Sequence, residues 1–358
     1  MKYDTHLEIE GKKIGSGYPT YFIADIAANH DGNLNKAIDL IHLSAEAGSD
    51  AAKFQHFTAK SIVSDVGFKA LGGQQSHQAS WKKSVFDVYD AASINRDWTE
   101  TLSKECKKAG ISFFTSPYSI ELVDEVEPFM PAYKIGSGDI SWGEIIQYIA
   151  SKNKPYFLAT GASSMDDVAE AVELACEINP KFSLMQCNTN YTGSIENFKH
   201  IQLNVLNSFK QMYPGMVLGL SDHTPGHTTV LGAVALGASA VEKHFTADVN
   251  QDGPDHAFSM DPKSWREMVD RTRELELSLG NGIKKVEANE VETVILQRRS
   301  IRAKIDLSIG EKITRENTEV LRPCPIDGLK PNELSSILEK KASIEIKAGE
   351  HIKWKDLE

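Results

Sequence analysis

The sequence predicts an α/β protein, a (β/α)8 barrel followed by a small β-rich domain. Three observations carry that prediction. Eight short apolar runs of strand length alternate with amphipathic helical segments within about 260 residues, the arithmetic of an eightfold β-α repeat. Nearly every run closes on polar residues, as barrel strands do at the rim where active sites are built. After Gly282 the rhythm stops, and short, turn-punctuated hydrophobic stretches replace it. A doubly wound open sheet is the alternative arrangement for the first part.

In chain order, Thr5 to Ile9 alternates and is followed by Gly11 and Gly15-Ser16-Gly17, which suits a hairpin ahead of the main domain. The eight runs are Tyr21–Ala27, Ala51–Phe54, Ile111–Phe114, Ala132–Ile135, Tyr156–Ala159, Ser183–Cys187, Met216–Leu220 and Ala240–Val241. Between them, Ala37–Ala47 sets Ile38, Ile41 and Ala45 on one face, with Gly48 placed to end the helix. Met165–Cys176 places Val168, Ala171, Val172 and Ala175 at helical spacing, and Ser164 three residues before Asp167 resembles a capping box. Thr58 to Arg96 holds no clear strand but carries Gly72-Gly73, Gln74, Gln75, His77 and Trp81. An insertion after the second strand is expected over the barrel mouth. The domains expected are 1–282 for hairpin and barrel, 283–299 for a charged helical linker and 300–358 for the small domain, in which SIGEKIT and KAGEHIKW read as one turn pattern used twice.

Composition limits the function classes. A net charge of −11 over 358 residues offers no basic stripe for nucleic acid. No apolar run approaches the roughly 18 residues that span a bilayer, and the start MKYDTHLEIEGKKIG lacks the apolar core of a secretory signal, so a cytoplasmic protein that does not insert into membranes is expected. Cys106, Cys176, Cys187 and Cys324 show no CxxC spacing and read as buried thiols.

The strand ends carry the chemistry. The first closes on Asp25, and the second holds Lys53, Gln55 and His56. The third ends Thr115-Ser116, the fourth runs from Lys134 to Ser137 and Asp139, and the fifth ends Thr160-Gly161. The sixth leads into Asn188, Asn190 and Tyr191. The last two end in Ser221-Asp222-His223 and Glu242-Lys243-His244. Lysines inside apolar strands either snorkel outward or hold an anion; beside Ser116, Ser137 and the Gly136 and Gly138 backbone, Lys53 and Lys134 suit a cradle for phosphate and carboxylate. Lys53 as a Schiff-base lysine is a further option. His223 and His244 at equivalent positions of successive strands suit a borderline divalent ion such as Mn²⁺, Co²⁺ or Zn²⁺, with hydrogen-bonded rim histidines as the plainer reading. Asp222 and Glu242 then orient the ligands or accept substrate hydroxyls. Asp255, in Gly253-Pro254-Asp255-His256, is a turn residue or a proton-transfer group. Arg322, between Leu321 and Pro323, is a surface arginine or one that reaches substrate from the small domain.

These residues sit in a longer pattern. IADIAANHDG, AAKFQHF, FFTSPYS, PAYKIGSGD, LATGAS, LGLSDHT, LGAVALGASAVEKHFT, GPDHAFSM, RRSI and LRP occur in this order. The chain so resembles the sialic acid synthase family, the bacterial nonulosonate synthases, over nearly its whole length. The resemblance implies a TIM barrel with an antifreeze-protein-like (SAF) domain, a domain-swapped homodimer, and condensation of phosphoenolpyruvate with the open-chain aldehyde of an N-acyl hexosamine, releasing phosphate. It implies that His223 and His244 bind Mn²⁺, with Mg²⁺ or Co²⁺ as alternatives. Lys53, Ser116, Lys134, Ser137 and Ser221 would hold phosphoenolpyruvate, Gln55, Tyr191 and Asp255 would line the acceptor side, and the partner subunit's arginine equivalent to Arg322 would contact the N-acyl group.

The chain departs from the family pattern in four places. Asp25 and Asp139 replace the usual glutamates, which retracts each carboxylate by about 1.5 Å. Ala159 stands where a serine often donates to phosphate, leaving Thr160 to compensate, and Cys187-Asn188-Thr189-Asn190-Tyr191 replaces the CTN-type motif. Two competing functions are a synthase making a 3-deoxy-2-keto sugar acid from an unmodified aldose and a catalytically retired barrel used for binding.

Overall fold

The computed structural model describes residues 2–72, 78–79 and 81–358. Gln74, Gln75 and His77 of the insertion lie outside the described residues. The chain forms two compact units, Met1–Gly280 and Asn281–Glu358.

The first unit opens with the antiparallel hairpin β1 (His6–Ile9) and β2 (Lys12–Gly15). Eight parallel strands then close a barrel: β3 (Tyr21–Asp25), β4 (Ala51–His56), β5 (Ser112–Pro117), β6 (Tyr133–Ile135), β7 (Tyr156–Ala159), β8 (Phe182–Cys187), β9 (Val217–Asp222) and β10 (Ala238–His244). They follow one another around the wall in chain order, and β10 pairs with β3 to close it. The closed barrel, not the open sheet, is therefore the arrangement. Nearly every strand residue is buried, as strands covered by helices outside and side chains inside must be.

The helices run as their patterns predict. Leu34–Glu46 is capped by Asn33, whose side chain accepts from the backbone N–H of Asn35 and Lys36. Met165–Ile178 starts in a full capping box between Ser164 and Asp167. Among its described residues, the interval after β4 supplies the short helices Ala59–Ile62, Asp65–Ala70 and Val85–Ala92 and no strand.

Inside the barrel, aromatic rings of one parity fill the floor beneath the polar rim. Phe157 stacks on Phe114 with centroids 5.6 Å apart and on Tyr21 at 6.4 Å. Gly219 leaves room for Met185, which would lie 3.0 Å from an added Cβ. At the opposite end the hairpin covers the barrel base: Leu7, Ile9 and Ile14 are buried in the main core, and the Asp4 N–H donates to the Pro180 carbonyl just before β8.

In the second unit a helix, Val291–Gln297, precedes the antiparallel strands β11 (Ser300–Ala303) and β12 (Thr318–Leu321). Its core gathers Ile301, Ile313, Leu329, Ile337 and Ile352 among others. The repeated turn motif is real in three dimensions. Glu311 accepts from the Ser308 N–H and Glu350 from the Lys347 N–H, each at 2.9 Å, while Gly310 and Gly349 take positive φ of 82° and 87°. The buried isoleucines Ile313 and Ile352 follow the two turns. Among the described residues no helix is long and apolar enough to cross a membrane.

Ile14 is fully buried under the barrel, so Ile14→Ala is expected to cost about 2–5 kcal/mol. Urea unfolding of the variant beside the parent checks this, with an unchanged folded-state circular dichroism spectrum expected.

Candidate active site

Side chains alternate along each strand, so residues two apart share a side. That rule sorts the polar strand ends into two sets. Facing the lumen are Asp25 on β3, Lys53 and Gln55 on β4, Ser116 on β5 and Lys134 on β6, with Ser221 and Glu242 on β9 and β10 and the imidazoles of His223 and His244 above them. These residues, with Ser137, Ala159, Cys187 and Tyr191, line a narrow inner pocket. Above it opens a cavity of about 230 Å³ that shares Gln55, Tyr118, Gly136, Ser137, Tyr191 and His244 with the inner pocket. Phe57, Ile62, Trp81, Val88, Tyr89 and Ala92 form its apolar wall, and Pro254 and Asp255 stand on another side. The insertion after β4 thus helps build the mouth.

Charges in the inner pocket are balanced. Lys53 Nζ lies 2.7 Å from Asp25 Oδ2 and 3.7 Å from Glu242 Oε1, and Lys134 Nζ lies 2.6 Å from Glu242 Oε1. Gln55 donates to Asp25 Oδ2 at 3.0 Å, and Ser221 to Glu242 Oε1 at 3.3 Å. Burial opposes the charge on Lys53, but the carboxylates of Asp25 and Glu242 outweigh it and raise its pKa. Burial likewise opposes ionisation of Glu242, yet Lys134 and Lys53 bring its pKa down to about 2. Burial raises the pKa of Asp25 against the pull of Lys53. Asp255, whose carboxylate accepts from the Ala28 N–H at 3.1 Å, is pushed up to about 7, first by burial.

Three buried polar atoms of this pocket have no hydrogen-bond partner among the described residues: Ser116 Oγ, Glu242 Oε2 and His244 Nδ1, the last 4.0 Å from Asp255 Oδ2. Buried polar groups are nearly always satisfied, so such atoms in a pocket are where water or a ligand would bind. Ser137 Oγ is occupied differently, accepting from the Gly161 N–H at 3.0 Å.

The imidazoles fit a metal. Burial lowers both pKa values to about 3, so both rings are neutral at physiological pH. The His223 Nδ1–H donates to the Asn188 carbonyl at 3.0 Å, which leaves Nε2 as a lone-pair donor. The ring centroids are 5.4 Å apart, and Tyr191 and Phe258 pack edge-on against them. Among the described residues no group of three or more His, Cys, Asp or Glu side chains could hold a metal ion, and an ion held by this pair would need its other ligands from solvent or substrate.

Other predicted residues are not brought to the pocket, and parity is the main reason. Thr115 faces the helix layer, where its hydroxyl meets His56 Nδ1 at 2.9 Å while His56 Nε2 meets Thr99 Oγ1 at 2.8 Å. Asp222 also faces outward and pairs with Lys243. The Thr160 hydroxyl is spent on the Met185 carbonyl at 2.9 Å and does not replace the serine missing at Ala159. Asn188 serves through its backbone, and Asn190 accepts from Thr192 and Asn197 within its own loop. Asp139 sits in a turn beside Gly136 and Ser137, outside the pocket lining. Arg322 is exposed on the second unit.

Tyr118 and the apolar wall of Phe57, Val88 and Tyr89 escaped the sequence reading. Tyr118 was within reach: it stands two residues after Ser116, so the same alternation brings it to the mouth, where its hydroxyl would lie 3.2 Å from a Cβ on Gly136. The wall residues carry no chemical signature in sequence.

A pocket so built, with two ammonium groups, two carboxylates and two imidazoles converging at the carboxyl rim of a closed eight-stranded barrel, is that of a barrel enzyme. Comparison with known proteins narrows that class. The chain matches the NeuB family model over residues 40–284 and the SAF domain model over residues 298–358. It is 32% identical to the N,N'-diacetyllegionaminic acid synthase of Campylobacter jejuni, over 93% of this chain and 99% of that protein. It is 31% identical to the pseudaminic acid synthase of the same species, over 94% and 96%. The crystal structure of N-acetylneuraminic acid synthetase from Leptospira borgpetersenii, in complex with citrate, superposes with a TM-score of 0.70 at 26% identity, covering 81% of this chain and 95% of that one. The chain belongs to the NeuB family and is one of its enzymes.

Burial raises the Asp139 carboxyl to about 6. A raised carboxyl pKa means the folded state holds its proton more tightly than the unfolded chain, so its contribution is full below about pH 4 and is lost as pH rises to about 6. Asp139→Asn should therefore melt like the parent at pH 4 and above it at pH 7, with the gap opening between; thermal melts across that range check this.

Proposed function

We propose that this enzyme condenses phosphoenolpyruvate with the open-chain aldehyde of an N-acylated hexosamine, forming a nonulosonic acid and releasing phosphate. One observation carries the reading: Lys53, Lys134, Ser116, Ser137 and Ser221 converge in an inner pocket directly below a larger cavity. A small dianion suits the first and a sugar the second.

The side chains then divide the work. Lys53 and Lys134 hold the phosphate and carboxylate of phosphoenolpyruvate, assisted by the unpartnered Ser116 hydroxyl. That hold presents C3 to the aldehyde carbon, and the new C–C bond takes the electrons of the C2=C3 double bond. The aldehyde oxygen gains a proton, and Asp255, poised near neutrality, is placed to deliver it. Positive charge develops at C2, where Glu242 and Asp25 stabilise it. Water adds at C2 and gives up a proton to a carboxylate. Cleavage of the bond between C2 and the phosphate oxygen, with the C2 hydroxyl proton passing to the departing phosphate, releases phosphate between the lysines and leaves the 2-keto acid. Asp25 contributes mainly through Lys53 and Gln55, to which its short side chain is already bound.

His223 and His244 would hold a divalent ion, Mn²⁺ foremost with Mg²⁺ or Co²⁺ as alternatives. Bound there, such an ion supplies Lewis acidity toward the aldehyde oxygen. For the acceptor, the apolar wall of Phe57, Ile62, Val88 and Ala92 favours methyl groups, and so a di-N-acetyl 6-deoxyhexose over N-acetylmannosamine. We further infer a homodimer in which the partner subunit's small domain brings its arginine to the N-acyl group. The exposure of Arg322 on its own unit supports this.

With phosphoenolpyruvate and Mn²⁺, phosphate release is expected with N-acyl hexosamines and not with unmodified aldoses. Release with aldoses alone would favour the other sugar-acid synthase, and release with none would favour a binding protein. Lys134→Ala should lower kcat/KM about a hundredfold or more. In confirmed mixed dimers, Arg322→Ala with Lys53→Ala should recover part of the activity that each lacks alone; no recovery would remove the swapped arrangement.

A further inference from the structure

The parallel ladder between β9 and β10 stops one residue short of the two imidazoles. Its last pairs are Ser221 with Glu242 and Asp222 with Lys243. His244 still lies inside β10, paired to Asp25 on β3. His223 lies past the end of β9, in the turn that leads to the helix Thr228–Ala235. The sheet therefore holds one imidazole and not the other.

Lys243 supplies what the ladder lacks. Its side chain faces away from the lumen and is about 1% exposed. The ammonium binds Asp222 Oδ2 on one side of His223 and the Thr224 carbonyl, at 2.6 Å, on the other. The same carboxylate oxygen accepts from Thr224 Oγ1 and Thr229 Oγ1, both at 2.8 Å, which ties the turn to the first turn of the following helix. From the other direction the Asn188 carbonyl takes the His223 Nδ1–H.

We infer that Lys243 is a positioning residue, a clamp that extends the β9–β10 pairing beyond the ladder and fixes His223 opposite His244. The inference deepens the proposed metal reading and rests on it for its function. Asp222, expected as a ligand orienter or a substrate contact, becomes the anchor of that clamp. A lysine lost alone would leave the Asp222 charge buried and unpaired, which is strongly destabilising, so the informative variant removes both charges.

The test compares the parent protein, His223→Ala, Lys243→Arg and the double variant Asp222→Leu with Lys243→Met. Mn²⁺ affinity is read by electron paramagnetic resonance, and the His223 tautomer by ¹⁵N NMR without metal. The double variant, folded by circular dichroism, should bind Mn²⁺ about tenfold to a hundredfold more weakly and lose the single Nδ1–H tautomer of His223. Lys243→Arg should restore much of both. If His223→Ala loses Mn²⁺ but the double variant binds like the parent, the clamp is overturned and the metal reading stands. If His223→Ala binds like the parent, the metal reading falls; an altered tautomer in the double variant still supports the clamp, and an unaltered one overturns it. Should the double variant not fold, the isosteric Thr229→Val loosens the same carboxylate and should weaken Mn²⁺ binding about fivefold; no change there overturns the clamp.

Discussion

The barrel mouth depends on four buried charges that hold one another. Lys53, Lys134, Asp25 and Glu242 come from β4, β6, β3 and β10, and removing any of them from water costs several kcal/mol unless partners are in place. Only a closed barrel delivers these strands to one point with their ends level. Ionic balance is thus a demand on the fold as well as a property of the site. Glu242 lies between both lysines, 3.7 Å from Lys53 Nζ and 2.6 Å from Lys134 Nζ, and so fixes the two ammonium groups relative to one another.

A second ionic system lies on the other side of the same strands. Asp222 and Lys243 are each one residue from an imidazole and one residue from a lumen-facing group, yet they meet the helix layer. His56, Thr115 and Thr99 do the same behind β4 and β5. The rim is therefore two concentric polar shells with the barrel wall between them. The inner shell lines the pocket, and the outer one holds strand ends where the ladder has run out.

The outer cavity is lined by parts of the chain with less regular structure. The helices after β4 bring Ile62, Val88, Tyr89 and Ala92 to the outer cavity, and the loop after β10 brings Asp255. The first and last barrel loops are joined where Asn29 donates to the Phe245 carbonyl and to Ser259, both at 2.9 Å, which sets the ground on which Asp255 stands. The inner pocket is thus built on strands and the outer cavity largely on insertions, as expected where rigid elements place buried charges and loops are free to vary.

From sequence alone, the eightfold rhythm, the capped helices, the repeated turn of the small domain and the set of polar strand ends were all legible, because each rests on local periodicity or turn chemistry. The family resemblance added a reaction, and the comparisons bear that out at the level of the family. What the tertiary structure decided is which polar residue looks inward. Strands of a parallel barrel are buried on both faces, so no hydrophobic alternation marks lumen against helix layer. Thr115 and Ser116, or Asp222 and Ser221, are equivalent on the page; closing the barrel, with Lys53 and Lys134 aimed at Glu242, separates them.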